Sequence, residues 1–249
     1  KQVIARFEAE KQALAMMDHE NIAKVFEAGT TDNGRFYFAM ELVRGIPINE
    51  FCDQKRLSVR ERLALFIQVC QAIQHAHQKG IIHRYIKPTN VLVTLHDATP
   101  VPKVIDFGVA KALHQRLTEK TIDTSCAQIV GTPLYMSPEQ AQATKHPVDE
   151  RSDIYSLGAT LYELLTCRPV FEGKTPQEVL SQILTREPVA PRRLNPEIPA
   201  DLAVIVMKAM AKRPEDRYQS ARELADDLDR WRKMEPIKAR PIGPVGRTI

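Results

Sequence analysis

With 249 residues, the chain is long enough for one large domain or two modest lobes, each around a buried core. Its 43% apolar and 27% charged residues are those of an ordinary globular protein, and a net charge of +4 dispersed along the chain argues against a nucleic-acid surface. Apolar runs fall short of the roughly 20 residues that span a bilayer, no signal peptide is apparent, and Cys52, Cys70, Cys126 and Cys167 are too scattered for a zinc site or disulfide framework, so a cytoplasmic domain with reduced thiols is expected.

The chain starts at Lys1 already in helical pattern, and is expected to be a piece of something longer. In "VIARFEAEKQALAMMDHENI" the residues Phe7, Glu10, Leu14 and Met17 fall on one helical face. Glu10 shares that stripe with three apolar residues, so it either finds a cationic or hydrogen-bonding partner or lies at a solvated edge. "IAKVFEAG" and "RFYFAMELV" are β-rich and flank the turn signal "TTDNG", which predicts an antiparallel hairpin. "SVRERLALFIQVCQAIQHAHQKG" opens with Ser58 and Glu61 at capping-box spacing and stops at Gly80. Between them Val59, Leu63, Phe66, Ile67, Cys70 and Ile73 follow the helical period. His75 and His77 are two apart and point to different faces, so helix-end roles are expected rather than shared metal ligation.

"NVLVTL" and "PKVIDFG" read as short strands. From Lys111 to about Thr132 the sequence turns polar, with Thr118, Thr121, Thr124 and Ser125, and a long irregular stretch of this kind is expected to be functional or mobile. "DIYSLGATLYELLT" is apolar on more than one face, which predicts a central buried helix. "DLAVIVMKAMAK" and "SARELADDLDRW" predict two more helices, and "IKARPIGPVGRTI" has the Pro and Gly content of a linker. A small β-containing piece followed by a mostly helical one is the architecture expected.

Five motifs then stand in a fixed order: "HRYIKPTN" at 83–90, "DFG" at 106–108, "GTPLYMSPE" at 131–139, "DIYSLG" at 153–158 and "RPEDRYQS" at 213–220. On these residues the chain resembles the eukaryotic-like serine/threonine protein kinases, and its idiom is similar to the bacterial branch, planctomycete kinases in particular. The resemblance runs from the first helix to the linker. It implies an α+β, two-lobe fold: a partial N-lobe at 1–43, a mostly helical C-lobe at 44–234 with an activation segment at 106–139, and a linker at 235–249. It also implies phosphoryl transfer from ATP, with Mg²⁺, to a Ser or Thr of a protein substrate, and no nucleic-acid partner.

Residue by residue, the resemblance assigns Asp106 and Asn90 as oxygen ligands of Mg²⁺, although Asp106 could also be a simple strand-end turn residue. Lys87 matches the lysine beside the transferred phosphate. Arg84 matches the arginine that grips a phosphorylated activation loop, with the threonines above as candidate partners. Thr132 matches the activation-segment threonine of serine/threonine kinases. Met40 becomes the gatekeeper, Glu41 and Val43 offer backbone groups to adenine, and Leu92 floors that pocket. Glu139 is expected to pair with Arg217, Asp153 to hold the catalytic-loop backbone, and Leu14, Val25, His83 and Phe107 to stack as a spine between the lobes.

Two departures stand out. The family's Gly-rich loop and its lysine precede the first helix, so the expected partner of Glu10 lies upstream of Lys1, and the chain reads as a kinase domain lacking three strands. The second is Tyr85, which stands where the family has the aspartate that orients the substrate hydroxyl and accepts its proton. A phenol ordinarily ionises near pH 10, so at neutral pH it donates rather than accepts, and its ring projects toward the approach of the hydroxyl. Three readings follow: a kinase by descent with crippled activity, a pseudokinase acting as nucleotide sensor or interaction scaffold, or a sequence error at position 85, since one base change interconverts Asp and Tyr codons.

Overall fold

A computed structural model describes residues 17–31, 36–107, 133–142 and 148–239. The predicted hairpin is present as β1 (Val25–Thr30) and β2 (Phe36–Met40), antiparallel, with Val25 opposite Met40 and Thr30 opposite Phe36. A register irregularity between Val25 and Glu27 bends β1. The segment Met17–Asn21 that precedes it is not helical, and Met17 is buried. Residues 1–16, with the helix expected there and with Glu10 and Leu14, lie outside the described residues.

A second sheet has the order β3-β4-β5, formed by β3 (Ile46–Pro47), β4 (Val91–His96) and β5 (Thr99–Val104). Asp97 and Ala98 join β4 to β5 with φ of 47° and 65°. Two successive left-handed residues match the right-handed strand twist, which is why so short a loop suffices. Strand β5 also holds the segment that enters the first hairpin: Val104 N–H donates to Asn21 O (2.8 Å) and Ala23 N–H to Val104 O (3.0 Å).

The helical part follows in chain order as α1 (Ile48–Gln54), α2 (Val59–Gln78), α3 (Pro138–Gln142), α4 (Glu150–Thr166), α5 (Pro176–Thr185), α6 (Pro191–Leu194), α7 (Ala200–Ala209) and α8 (Ala221–Arg232). Helix α2 begins with the expected capping box: Ser58 N–H donates to Glu61 Oε2 (2.7 Å) and Glu61 N–H to Ser58 Oγ (3.4 Å). It ends before Gly80, whose φ of +73° is the left-handed conformation that favours glycine.

Helix α4 is the axis of this part. Every residue from Ser152 to Tyr162 is buried, and so are Leu164 and Leu165, as the lack of a polar face predicts. At Gly158 a Cβ would lie 2.7 Å from Met210 Cγ and 2.9 Å from Ala209 Cβ, so glycine is what lets α7 approach this closely. Beyond α8 the chain stays attached as far as Ala239. The buried carboxylate of Asp227 accepts Lys238 N–H (2.5 Å), Ala239 N–H (2.7 Å) and Tyr218 Oη–H (2.8 Å). No helix among the described residues is long and apolar enough to cross a membrane.

Candidate active site

The loop 81–90 leaves α2 and returns to β4, and its shape is set by Asp153 in the first turn of α4. Asp153 is fully buried. It accepts His83 N–H (2.8 Å) and Arg84 N–H (2.7 Å), and shares a third hydrogen bond with His77 Nε2 (2.8 Å). Arg84 takes φ +70°, a conformation an L-residue adopts only under constraint, and the Asp153 bond supplies the constraint. Gln140 Nε2 donates to Arg84 O (2.9 Å) from the other side. The expected role of Asp153 is therefore visible, whereas His77 as its third partner was not foreseen.

His83 is buried and faces both ways. Its Nε2 lies 3.0 Å from Ile105 O, and its Nδ1 accepts Tyr85 N–H (3.2 Å). Those contacts define a neutral ring protonated at Nε2. Burial depresses its pKa, against the raising effect of Asp153 and of the Ile105 carbonyl. The ring meets Phe107 edge-on, centroids 4.6 Å apart, so two of the four residues expected in the spine are in contact, and Val25 packs partly buried against the hydrophobic core.

Tyr85 has its main chain pinned at both ends: its N–H on His83 Nδ1, and its carbonyl accepting Asn90 Nδ2–H (2.9 Å). The residue is 37% exposed. Asn90 itself is buried, anchored by its N–H to Lys87 O (3.0 Å) and by its carbonyl, which accepts Ile105 N–H (2.9 Å). With Nδ2 spent on Tyr85, the Oδ1 of Asn90 has no partner among the described residues. Ile105 leads directly to Asp106, exposed and at φ +63°, with no ion pair among the described residues. One carboxylate and one free amide oxygen, delivered by two hydrogen-bonded segments, fit a hard divalent cation. Lys87 is half-buried two residues beyond Tyr85, in extended conformation.

The residues expected to line adenine lie at the exit of the first hairpin and on β4. Met40 ends β2, and the N–H of the next residue, Glu41, donates to Lys24 O (2.8 Å), leaving the Glu41 carbonyl for another donor. Val43 is half-buried and its N–H has no partner among the described residues. Leu92 is half-buried on β4, opposite Lys103. The Glu41 side chain is taken by Lys103 Nζ at 2.8 and 2.9 Å, an ion pair between the hairpin's exit and β5 that the sequence reading missed. Burial alone would raise the Glu41 pKa, but the bonds from Lys103 and Lys24 N–H outweigh it and hold it low.

The segment 133–142 is fixed to the helices. Arg217 Nη1 and Nη2 donate to Glu139 Oε1 (2.7 Å) and Oε2 (2.8 Å), and Ser152 Oγ donates to Oε1 (2.6 Å). Tyr135 donates to Glu163 (2.6 Å) while Ser156 Oγ donates to Tyr135 O (2.7 Å). Thr132, Thr118, Thr121, Thr124 and Ser125, like Glu10, lie outside the described residues. Arg84 Nε is buried without a partner among those described.

The sequence matches the family model described as protein kinase domain over residues 1–228. It is 37% identical over 241 residues to the serine/threonine-protein kinase PknB of Mycobacterium tuberculosis strain H37Rv, covering 95% of this chain and 37% of that protein. To the probable serine/threonine-protein kinase SCO3848 of Streptomyces coelicolor it is 41% identical over 239 residues, 94% of this chain and 34% of the relative. The chain thus spans little more than a third of the length of these curated relatives. The crystal structure of the Mycobacterium tuberculosis PknI kinase domain is similar to the fold with a TM-score of 0.66 and 27% identity, over 92% of this chain and 79% of that one.

Proposed function

The chain belongs to the protein kinase domain family, and we propose that it is a serine/threonine kinase domain of the bacterial, planctomycete-like branch whose nucleotide machinery is retained and whose transfer step is crippled at Tyr85. The observation that carries this reading is the frame around Tyr85: Asp153, His83 and Asn90 hold the loop through main-chain bonds that do not depend on the side chain at position 85. Asp106 and Asn90 Oδ1 would hold Mg²⁺, which when bound neutralises phosphate charge. Lys87 adds a point charge beside the phosphates, the Glu41 carbonyl and Val43 N–H meet the adenine edge, and Met40 and Leu92 enclose it. Arg84, Thr132 and Glu10 keep the roles that the family resemblance gives them. The lobes at 1–43 and 44–234, the segment 235–249 and a cytoplasmic location belong to the same proposal, with a protein Ser or Thr as the natural acceptor.

Tyr85 itself favours a second reading, a pseudokinase that binds nucleotide and acts through protein contacts. Calorimetry on the full-length protein tests the shared part. Mg·ADP should bind with magnesium dependence, and Asp106→Asn should weaken it at least tenfold. Absence of nucleotide binding in the intact protein would refute the retained machinery and leave only an interaction role.

A further inference from the structure

We propose that Tyr85 is itself a phosphoryl acceptor, taking the γ-phosphoryl group of a nucleotide bound to the same chain and becoming phosphotyrosine. This rests on the nucleotide-binding reading above. The chain has six tyrosines, all among the described residues. Four have committed hydroxyls: Tyr37 on Glu27, Tyr135 on Glu163, Tyr162 on Val189 O and Tyr218 on Asp227. The hydroxyl of Tyr155 is buried without a partner. Tyr85 alone is exposed with no polar contact from its hydroxyl among the described residues.

Its place in the loop gives that exposed hydroxyl a meaning. The main chain of Tyr85 is fixed by His83 on one side and on the other by Asn90, the residue whose Oδ1 is offered to the metal. Only two side-chain torsions remain free. A side chain that acts as base from this position must reach within hydrogen-bond distance, about 2.6–3.2 Å, of the attacking hydroxyl. A phenol extends roughly a ring's length beyond a carboxylate, comparable to that hydrogen-bond reach, so we place its oxygen where the incoming hydroxyl would be rather than beside it. Tyr85 therefore excludes an outside acceptor and supplies one.

The chemistry needs little more. Phosphoryl transfer passes through a loose transition state governed by positioning and charge compensation, so a missing base is a smaller handicap than misplacement. A phenol also gives up its proton more readily than the aliphatic hydroxyl of serine or threonine. In the step, Tyr85 Oη forms a bond to the γ-phosphorus as the bond from phosphorus to the β–γ bridging oxygen breaks. ADP departs with that electron pair, and the phenolic proton passes to water. The ester then fills the acceptor position, so transfer stops at one phosphate per chain.

The test incubates the full-length protein with Mg·ATP and follows intact mass and peptide mapping, alongside calorimetry with Mg·ADP. One phosphate at Tyr85, added at a rate independent of protein concentration, is the expected result, and Tyr85→Phe should remain unmodified. Modification that speeds up in proportion to protein concentration would overturn the same-chain transfer. Magnesium-dependent nucleotide binding with Tyr85 unmodified would overturn the acceptor role while sparing the functional reading. Failure to bind nucleotide at all would end both, and calorimetry distinguishes that case.

Discussion

Arg217 grips Glu139 through two parallel hydrogen bonds of 2.7 and 2.8 Å, with both side chains buried. The guanidinium also donates to the carbonyls of Ala211, Arg151 and Lys212, so it ties α3 to the turn before α8. Burial pushes the Glu139 pKa up, but Arg217 and the Ser152 hydroxyl outweigh it and bring it from its ordinary 4.5 to about 2. A depressed carboxylate contributes stability that is complete above pH 4.5 and is lost as pH falls toward 2. Arg217→Ala should cost about 3–5 kcal/mol, because it strands a buried charge. Chemical denaturation at pH 7 measures the cost, and in Glu139→Gln the loss of stability between pH 4.5 and 2 should shrink.

Asp153 is the second buried carboxylate with a structural task, and its removal should be felt at the catalytic loop. Asp153→Ala leaves His83 N–H, Arg84 N–H and the His77 ring without their acceptor. Each stranded buried donor costs about 1–3 kcal/mol. A total of about 3 kcal/mol corresponds to a fall of roughly 6–12 °C in Tm for a domain of this size. Hydrogen exchange should show the amides of residues 83 and 84 losing protection beyond the global change. Equal loss everywhere would mean that Asp153 supports α4 and not the loop.

Much of this is legible in the sequence alone. The α2 capping box, the all-round apolar pattern of α4 and the Glu139–Arg217 pair each rest on local signals or on motif identity. The misses share a physical cause: polar residues inside apolar stripes, whose partners are far away in sequence. His77 is four residues after Ile73 and seven after Cys70, so it shares their buried face and needed an acceptor, which proved to be Asp153. Lys103 lies in the fully buried run 101–104, which required a carboxylate such as Glu41. Asp227 stands between Leu224 and Leu228 on the core face of α8. Periodicity flags such a residue as short of a partner but cannot say which partner arrives.

Asp227 carries the next prediction. It turns residues 235–239 from a free tail into part of the helical lobe, with Ala239 buried. Asp227→Ala should cost at least about 3 kcal/mol by stranding two backbone donors and the Tyr218 hydroxyl, whereas Tyr218→Phe, which removes one neutral donor, should cost about 1 kcal/mol. Limited proteolysis should cut near Lys238 faster in Asp227→Ala than in the parent protein. If cleavage and stability are both unchanged, the two backbone bonds are incidental.

The last prediction concerns the catalytic loop as an enzyme. The bonds that hold Tyr85 are made by its backbone, so an aspartate there inherits the same frame: His83 Nδ1 for its N–H and Asn90 Nδ2 for its carbonyl. What changes is the end of the side chain, from a phenol to a shorter carboxylate that accepts rather than donates at neutral pH. A positioned general base typically contributes about 10²–10⁴ in rate. Tyr85→Asp in the full-length protein should therefore raise phosphorylation of a serine-containing peptide by at least about 10². Adding Asp106→Asn to Tyr85→Asp should remove the gain, since the carboxylate proposed to hold the metal is lost. On the proposed reading, in which Glu41, Val43 and Leu92 hold adenine, nucleotide affinity should change little in Tyr85→Asp, so the effect should appear in kcat and not in KM for ATP. A full-length parent that already phosphorylates peptide as fast as Tyr85→Asp would show that the phenol is no obstacle, and would remove the physical basis for calling the transfer step crippled.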